Sequence, residues 1–202
     1  MDLLIATQNK GKLKEYRAIF AALPVTVISL ADVALGEMDV EETGDTFLAN
    51  ARLKAAAYAQ AAERYTIADD SGLCVNALDG APGVLSARYA PTQAERNTKL
   101  LAALDGLPHD QRQAYFACTL AFHAPDGTHI TSTEGRLPGH IATAKSDGEH
   151  GFGYDPLFVA EGYNVTLAEM PPAEKNQISH RGRAAQQFRG WLLANSDKFV
   201  GV

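Results

Sequence analysis

The chain is short of cysteine, of long apolar runs and of positive charge, and each shortage excludes a class of protein. Its 202 residues include two cysteines, Cys74 and Cys118, without a CxxC pattern. Neither a disulfide framework nor a zinc site is therefore expected, and a reducing cytoplasm fits. No apolar run approaches the roughly 20 residues that cross a bilayer, and the first residues lack a signal peptide's basic segment. The net charge of −6 argues against general nucleic-acid binding.

Two glycine-rich nucleotide-binding patterns are missing as well. The chain contains neither the GxxxxGK[ST] spacing of a P-loop nor the GxGxxG spacing of a dinucleotide fold. Several histidines show no metal-ligand spacing and are expected at the surface or in turns, namely His109, His123, His129, His140 and His150. Any phosphate site must therefore be local and built from scattered side chains.

The remaining composition is that of one globular domain. Apolar residues make up 46% of the chain and charged residues 21%, as expected for a domain with a sizeable core. Strand and helix patterns alternate in the first half, and Pro125-Asp-Gly127 predicts a hairpin between two apolar strands. We therefore predict an α/β fold, one mixed sheet with flanking helices, as a single domain over residues 1–202.

The predicted elements decide where the polar motifs fall. Strands are expected at 3–6, 25–30, 66–68, 114–124, 128–134 and 157–159, with further candidates at 73–78, paired with 66–68, and at 139–144. Helices are expected at 13–23, 46–63 and 92–104 and after Ser179. Loops are expected at 7–12, 31–45 and 151–156.

The start of the C-terminal helix carries a concentration of positive charge. Ser179 is a good N-cap, and His180 and Arg181 follow it in the first turn, with Lys175 shortly before. Added positive charge is unfavourable at a helix start unless an anion is also present. The placement favours a phosphate site, and an exposed basic helix start is the alternative.

A polar loop and one lysine offer further phosphate contacts. The loop follows the first strand and opens the first helix, where backbone N–H groups and polar side chains can surround a phosphate. Its residues are Thr7, Gln8, Asn9, Lys10, Gly11 and Lys12. An ordinary turn with solvated lysines is the alternative. On the second helix Lys54 shares a face with Asn50, so it either extends to water or contacts a phosphate.

Two adjacent aspartates follow the strand predicted at 66–68. Alternation along a strand sends Asp69 and Asp70 to opposite faces, so one can bond within the fold while the other meets a ligand. Such a carboxylate suits a hard metal ion or a general base, and the acidic pair Glu41-Glu42 can supply a second one. A turn that caps the strand is the alternative.

The segment Gly151-Phe-Gly-Tyr-Asp155 combines a flexible backbone with aromatic rings and a carboxylate. Phe152 or Tyr154 can stack on a base, and Asp155 can accept a hydrogen bond from a ring N–H. A packed turn whose aromatic rings fill the core is the alternative.

Taken together, these segments resemble the inosine triphosphate pyrophosphatase family. The matching stretches keep the family's order and cover nearly the whole chain. They are Ala6-Thr-Gln-Asn-Lys-Gly-Lys12, Glu41-Glu-Thr-Gly44, Phe47-Leu-Ala-Asn-Ala-Arg-Leu-Lys-Ala55, Ile67-Ala-Asp-Asp-Ser-Gly-Leu73, Gly80-Ala-Pro-Gly83, Ser86-Ala-Arg-Tyr89, Gly151-Phe-Gly-Tyr-Asp-Pro156 and Lys175-Asn-Gln-Ile-Ser-His-Arg-Gly182. Each stretch alone is a weak signal, whereas the ordered set is highly specific.

The resemblance implies an elongated mixed sheet with flanking helices, two lobes around a central nucleotide-binding cleft, and a homodimer. It implies Mg²⁺-dependent hydrolysis of ITP, dITP and XTP to the monophosphate and pyrophosphate, which clears them from the nucleotide pool. Asp70 matches the family's proton acceptor and metal ligand, and Glu42 matches its other metal-binding carboxylate. The implied substrate contacts are Thr7, Gln8, Asn9, Lys10, Gly11, Lys12, Lys54, Ser71, Lys175, His180 and Arg181, with Phe152, Gly153, Tyr154 and Asp155 at the base.

Other functions remain open at this point. A pyrophosphatase of other altered nucleotides, such as modified pyrimidines, would use the same groups. A nucleotide-sensing module without turnover would not need Asp70 and Glu42 together with the cations, so it is disfavoured. A purely structural protein is disfavoured further, because so many charged residues would have to match the family's order by chance.

Overall fold

The fold is built on one mixed six-stranded sheet with the strand order β2-β1-β3-β4-β5-β6. The computed structural model describes residues 1–199. The strands are β1 Asp2–Ile5, β2 Thr26–Ser29, β3 Thr66–Val75, β4 Gln113–His123, β5 His129–Ile141 and β6 Phe158–Ala160. The helices are α1 Lys10–Phe20, α2 Phe47–Ala62, α3 Gln93–Ala103, α4 Pro172–Ile178 and α5 His180–Ala194. The predicted α/β class is therefore confirmed.

The chain divides into two compact units, each assembled from separate segments. The first unit contains Met1–Asp70, Cys118–Gly135 and the chain from Arg181, and the second contains Ser71–Ala117 and Arg136–His180. A single domain over residues 1–202 and a central cleft stay predictions. Within residues 1–199, no helix has both the length and the apolar character that a membrane crossing requires.

Alternation along the strands of the first unit produces two separate hydrophobic clusters. β1 pairs in parallel with β2 and with β3. Leu3 and Ile5 pack with side chains of α1 and α5, including Phe20 and Phe188. Leu4 packs instead with alanines and a tyrosine of α2. Successive residues of a strand point to opposite faces, so α2 lies on one face and α1 and α5 on the other.

The first helix begins earlier than the periodicity predicts. The expected start at residue 13 is wrong, because Asn9 caps α1 and places Lys10 and Lys12 in its first turn. The Oδ1 atom of Asn9 accepts hydrogen bonds from the backbone N–H groups of Gly11 at 2.8 Å and Lys12 at 3.1 Å. Asparagine is a strong N-cap residue, so this boundary was visible in the sequence as a capping signal rather than as an apolar pattern.

The central strand is longer than predicted. An end at residue 68 with a separate strand at 73–78 is wrong, because β3 runs without interruption from Thr66 to Val75. Asp69 and Asp70 therefore lie inside the strand. Ile67 belongs to the cluster of α1 and α5 and Ala68 to the cluster of α2, so the prediction of opposite faces is confirmed.

One long strand is present where two were expected. Strands at 128–134 and 139–144 are replaced by β5, which continues through Pro138 to Ile141. β6 pairs with the end of β5 in antiparallel fashion. The expected helix at 92–104 is present as α3 and starts with a capping box, in which Thr92 Oγ1 accepts from the Glu95 N–H at 3.2 Å and the Glu95 carboxylate accepts from the Thr92 N–H at 2.9 Å.

The C-terminal segment contains two helices separated by one extended residue. α4 carries Lys175, and Ser179 follows it with φ −62° and ψ 155°. This extended backbone is typical of an N-cap, and α5 starts at the next residue, His180. The prediction that His180 and Arg181 occupy the first turn of a helix is therefore confirmed.

Candidate active site

Asp69 is the centre of a buried ionic cluster in the first unit. Its side chain is 1% exposed, and its Oδ2 atom lies 2.9 Å from Lys12 Nζ and 3.3 Å from Arg181 Nη2. Burial alone would raise the pKa of the Asp69 carboxyl, but Lys12, Arg181 and Lys54 outweigh burial and hold this pKa well below its usual range. Arg181 also pairs with Glu15 at 2.6 Å. The anion that the start of α5 requires is thus supplied by the chain itself.

Asp70 points to the other face and contacts α2. It is 6% exposed, and its Oδ2 atom accepts a hydrogen bond of 3.0 Å from the side-chain amide of Asn50. The Asn50 Oδ1 atom accepts from the Gly44 N–H at 2.8 Å, which attaches the acidic segment to the same helix. A Cβ atom on Gly44 would lie 2.8 Å from that oxygen, so this approach requires glycine. Burial raises the pKa of Asp70, as suits a group that accepts a proton.

Lys54 links strand β3 to the acidic segment that contains Glu42. Its ammonium donates to the Asp69 carbonyl oxygen at 2.7 Å and forms an ion pair with Glu42. The prediction that it extends to water is wrong, since its side chain is only 15% exposed. Burial tends to lower the pKa of Lys54, but attraction to Asp69, Asp70 and Glu42 outweighs burial and raises it. The group therefore stays charged at neutral pH.

The segment predicted as a phosphate loop is largely engaged in local hydrogen bonds. Thr7 Oγ1 accepts from the Asn9 N–H at 3.2 Å, and the Gln8 side chain donates to the Met38 carbonyl at 2.9 Å. Asn9 caps α1, and Lys10 is exposed. Lys12 is the residue through which this segment enters the ionic cluster.

A second buried ion pair lies in the second unit. Lys175 Nζ and Asp155 Oδ2 are 2.7 Å apart, and both side chains are 4% exposed. The same oxygen accepts from the Phe152 N–H at 2.7 Å, and the ammonium lies 5.0 Å from the centre of the Phe152 ring. A Cβ atom on Gly151, which has φ +76°, would lie 2.2 Å from this carboxylate oxygen. The loop therefore folds tightly around Asp155, and only glycine fits at its start.

The two aromatic residues of this loop have different environments. Tyr154 is 4% exposed, packs in the core of the second unit and donates to the Ser86 carbonyl at 2.9 Å. Burial raises the pKa of Tyr154 to about 12. Phe152 is half-buried, so a prediction of base stacking now rests on this ring. His180, also buried, stacks on Phe116 with ring centres 4.7 Å apart.

Comparison with known proteins identifies the family. The model of the Ham1 family matches residues 3–191. The chain belongs to the Ham1 family. The dITP/XTP pyrophosphatase of Oceanobacillus iheyensis is 47% identical over 193 residues, 94% of this chain and 97% of that protein. The dITP/XTP pyrophosphatase of Listeria monocytogenes is 49% identical over 200 residues, 97% of each chain. The structure of a HAM1 protein from Coxiella burnetii matches with a TM-score of 0.86 and 38% identity over 96% of this chain and 99% of that one.

These relatives confirm the resemblance that the sequence motifs indicated. In this Ham1 chain, Lys12 and Arg181 meet at Asp69, the direct neighbour of Asp70. Glu42 and Lys54 form a pair in the same unit. Thr7, Gln8, Asn9, Lys10 and Gly11 also belong to this unit, whereas the second unit contains the predicted contacts Ser71, Phe152, Gly153, Tyr154, Asp155, Lys175 and His180. Among them Phe152, Asp155 and Lys175 form one group.

The sequence analysis missed three partners in this Ham1 site. The sequence predicts that one of Asp69 and Asp70 bonds within the fold but names no cationic partner for it, treats Asn50 only as a helix-face neighbour of Lys54, and gives no role to Glu15. Asp69 had one usable signal, because alternation places it on a buried face, and a buried carboxylate requires a cationic partner. Glu15 had none, since its contact with Arg181 depends on how α1 packs near the start of α5.

Proposed function

We propose that this Ham1 protein hydrolyses non-standard purine nucleoside triphosphates, namely ITP, dITP and XTP, to the monophosphate and pyrophosphate. This reaction would clear such nucleotides from the pool. Relatives that match nearly the whole chain carry the name dITP/XTP pyrophosphatase. The observation that carries the proposal is a buried carboxylate, Asp70, directly next to Asp69, whose side chain pairs with Lys12 and whose carbonyl oxygen accepts from Lys54.

The charge balance of the first unit supports the need for a divalent cation. The paired groups are the three cations Lys12, Lys54 and Arg181 and the four carboxylates Glu15, Glu42, Asp69 and Asp70. Because these cations are already paired with carboxylates, they do not by themselves neutralise a triphosphate. A divalent cation bound with the substrate would supply the missing positive charge.

Glu42 and Asp70 would hold the Mg²⁺ ion, and they are close enough for the Glu42 charge to contribute to the raised pKa of Asp70. Within residues 1–199, no three His, Cys, Asp or Glu side chains are grouped so as to hold a metal by themselves. Mg²⁺ is usually bound by one or two carboxylates together with phosphate oxygens and waters. When bound, the ion would polarise the phosphates and neutralise charge that develops during the reaction.

The residues of the first unit then have separate roles in the reaction. Asp70 accepts a proton from the water that attacks the α-phosphorus, and Asn50 orients its carboxylate. Lys12 and Lys54 donate to the phosphates and stabilise the departing pyrophosphate. Burial keeps Asp70 more basic than a solvated carboxylate, which favours proton transfer from water at neutral pH.

The group in the second unit is proposed to recognise the base. Hypoxanthine and xanthine present a 6-keto acceptor and an N1–H donor, whereas adenine reverses both. Phe152 stacks on the base, Asp155 accepts from N1–H, and His180 donates to O6. A mismatched base leaves buried polar groups unpaired, which disfavours it. Asp155→Asn is expected to narrow the ratio of kcat/KM for ITP over ATP, and an unchanged ratio would contradict this assignment.

The enzyme is further proposed to act as a homodimer, as the family resemblance implies, and in the cytoplasm, which its two scattered cysteines favour. Light scattering of the purified protein tests the dimer. A mass of one chain across the working concentration range would contradict it.

Product analysis tests the proposed reaction directly. ITP, XTP, GTP and ATP are incubated in parallel with the wild-type protein, with and without Mg²⁺. We expect monophosphate and pyrophosphate from ITP and XTP, little product from ATP, and loss of turnover in the presence of a chelator. Release of orthophosphate, or equal turnover of all four nucleotides, would contradict the proposal. A panel of modified pyrimidine triphosphates, run alongside, separates the rival substrate class.

A further inference from the structure

Asp69 uses one carboxylate oxygen for all of its recorded contacts. Lys12 Nζ lies 2.9 Å and Arg181 Nη2 lies 3.3 Å from Oδ2, and the Cys118 thiol donates to the same atom at 3.7 Å. The other oxygen, Oδ1, has no hydrogen-bond partner within residues 1–199. Asp69 therefore caps no turn and no helix, and its charge serves two cations and a thiol.

The two cations that share this oxygen differ in burial and in the number of carboxylates that hold them in place. The Arg181 side chain is 2% exposed and also pairs with Glu15 at 2.6 Å, so a second carboxylate fixes it. The Lys12 side chain is 15% exposed, and its ammonium is on a flexible stem. Two cations on one oxygen repel each other once its charge is removed. Lys12 is the member that can then turn away into solvent.

We infer that Asp69 is a positioning residue, which holds the ammonium of Lys12 beside Arg181 where it meets the phosphates of the substrate. The inference rests on the proposed function, since it assigns Lys12 a contact with phosphate. Neighbouring residues of β3 thus have distinct tasks, because Asp70 takes the proton on one face and Asp69 sets the phosphate-binding lysine on the other. A misplaced donor loses much of its stabilising effect on the transition state.

A double-mutant cycle with Lys12→Met and Asp69→Asn tests this role. We expect Lys12→Met to lower kcat/KM for ITP about 10²-fold, as for loss of one charged donor. Asp69→Asn alone should lower it about 10-fold, and the double variant should be no slower than Lys12→Met alone, because the carboxylate acts through the lysine. Independent roles would instead multiply to about 10³-fold, and that result would overturn the inference.

A matched cycle separates positioning from a general disturbance of the cluster. Glu15→Gln removes the other carboxylate on Arg181, so its effect should multiply with that of Lys12→Met. If Glu15→Gln couples to Lys12→Met as strongly as Asp69→Asn does, a specific role for Asp69 is overturned. Should Asp69→Asn fail to fold, Asp69→Glu takes its place, since it keeps the charge but displaces it. That variant should couple to Lys12→Met in the same direction, and multiplied effects would again reject the inference.

Binding of inorganic pyrophosphate distinguishes this inference from the proposed reaction. Calorimetry is carried out on the wild type, Lys12→Met, Asp69→Asn and the double variant. Asp69→Asn should weaken pyrophosphate binding when Lys12 is present and should have no further effect in the Lys12→Met background. If pyrophosphate binding follows this pattern but the wild-type protein does not hydrolyse ITP, the proposed reaction is rejected and the inference about Asp69 is retained. Turnover of ITP combined with independent effects on pyrophosphate binding would reject the inference and retain the reaction.

Discussion

The two units hold their buried charges in different ways. In the first unit, several cations and carboxylates are connected, and most lie on regular elements, in the middle of β3 and in the first turns of α1 and α5. In the second unit, one ion pair joins the short helix α4 to a loop that folds around Asp155. In the first unit Asp69 would keep Arg181 if Lys12 were removed, whereas loss of Lys175 takes from the buried Asp155 carboxylate the ammonium that lies 2.7 Å away.

Breaking the buried Lys175–Asp155 pair should have the largest effect. Lys175→Met leaves Asp155 buried without its cation, and we expect a loss of about 3–5 kcal/mol in the free energy of unfolding, as for other buried pairs. Urea denaturation measures it. Lys99→Met is the matched control, because Lys99 is an exposed lysine of the same unit that contacts the Tyr89 carbonyl. If Lys175→Met lowers the free energy of unfolding no more than Lys99→Met does, the buried Asp155 carboxylate does not need Lys175 for stability.

Asp70→Asn should affect catalysis rather than folding. The amide can still accept the hydrogen bond from Asn50, so the fold is retained, but it cannot take a proton from water. We expect kcat to fall by about 10²-fold, equivalent to about 2.7 kcal/mol of barrier. Steady-state assays with ITP measure the change, and Asp110→Asn, at an exposed position of the second unit, serves as control. Near-normal turnover would remove Asp70 from the role of base.

Two helix caps sharpen the comparison between the units. Asn9→Ala in the first unit and Thr92→Ala in the second should each cost about 1 kcal/mol of stability. Only the cap of α1 sets the turn that carries Lys12, so Asn9→Ala should also raise KM for ITP. Thermal denaturation and kinetics on both variants check this. A KM that rises equally in both would show that the effect follows stability and not position.

The smallest expected effect is the contribution of His123 to folding stability at acidic pH. The prediction that this residue lies at the surface is wrong, because it is 3% exposed. Burial, opposed by the hydrogen bond to the Gly127 carbonyl and reinforced by Arg52, lowers its pKa from the ordinary value of 6.5. The unfolded chain then binds more protons below that value, so the contribution of neutral His123 is complete above pH 6.5 and is lost as pH falls.

His123→Gln should therefore reduce the loss of stability between neutral and mildly acidic pH. Thermal denaturation at a series of pH values, with His150→Gln as an exposed control, measures the difference. An identical pH dependence in wild type and His123→Gln would show that another group controls the acid sensitivity.

The outcome for individual residues shows how far sequence reasoning reached. The capping box of Thr92 and Glu95 and the opposite faces of Asp69 and Asp70 were predictable, because both follow from local backbone geometry. The length of β3 was not, since acidic residues and glycine disfavour a strand locally and only their buried partners stabilise them there. Tyr154 likewise joined the core although its loop pattern equally allowed a ligand contact.

The sequence by itself determined α1, α2, α3 and α5 and most strands, though not α4, and its ordered motifs determined the family. Only the tertiary structure decided which charges are partners, for instance that Lys12 and Arg181 share Asp69 while Lys175 belongs to Asp155. The physical reason is that periodicity and capping act over a few neighbouring residues. A buried ion pair forms instead between distant segments, and its partners are chosen by the packing of the elements that carry them.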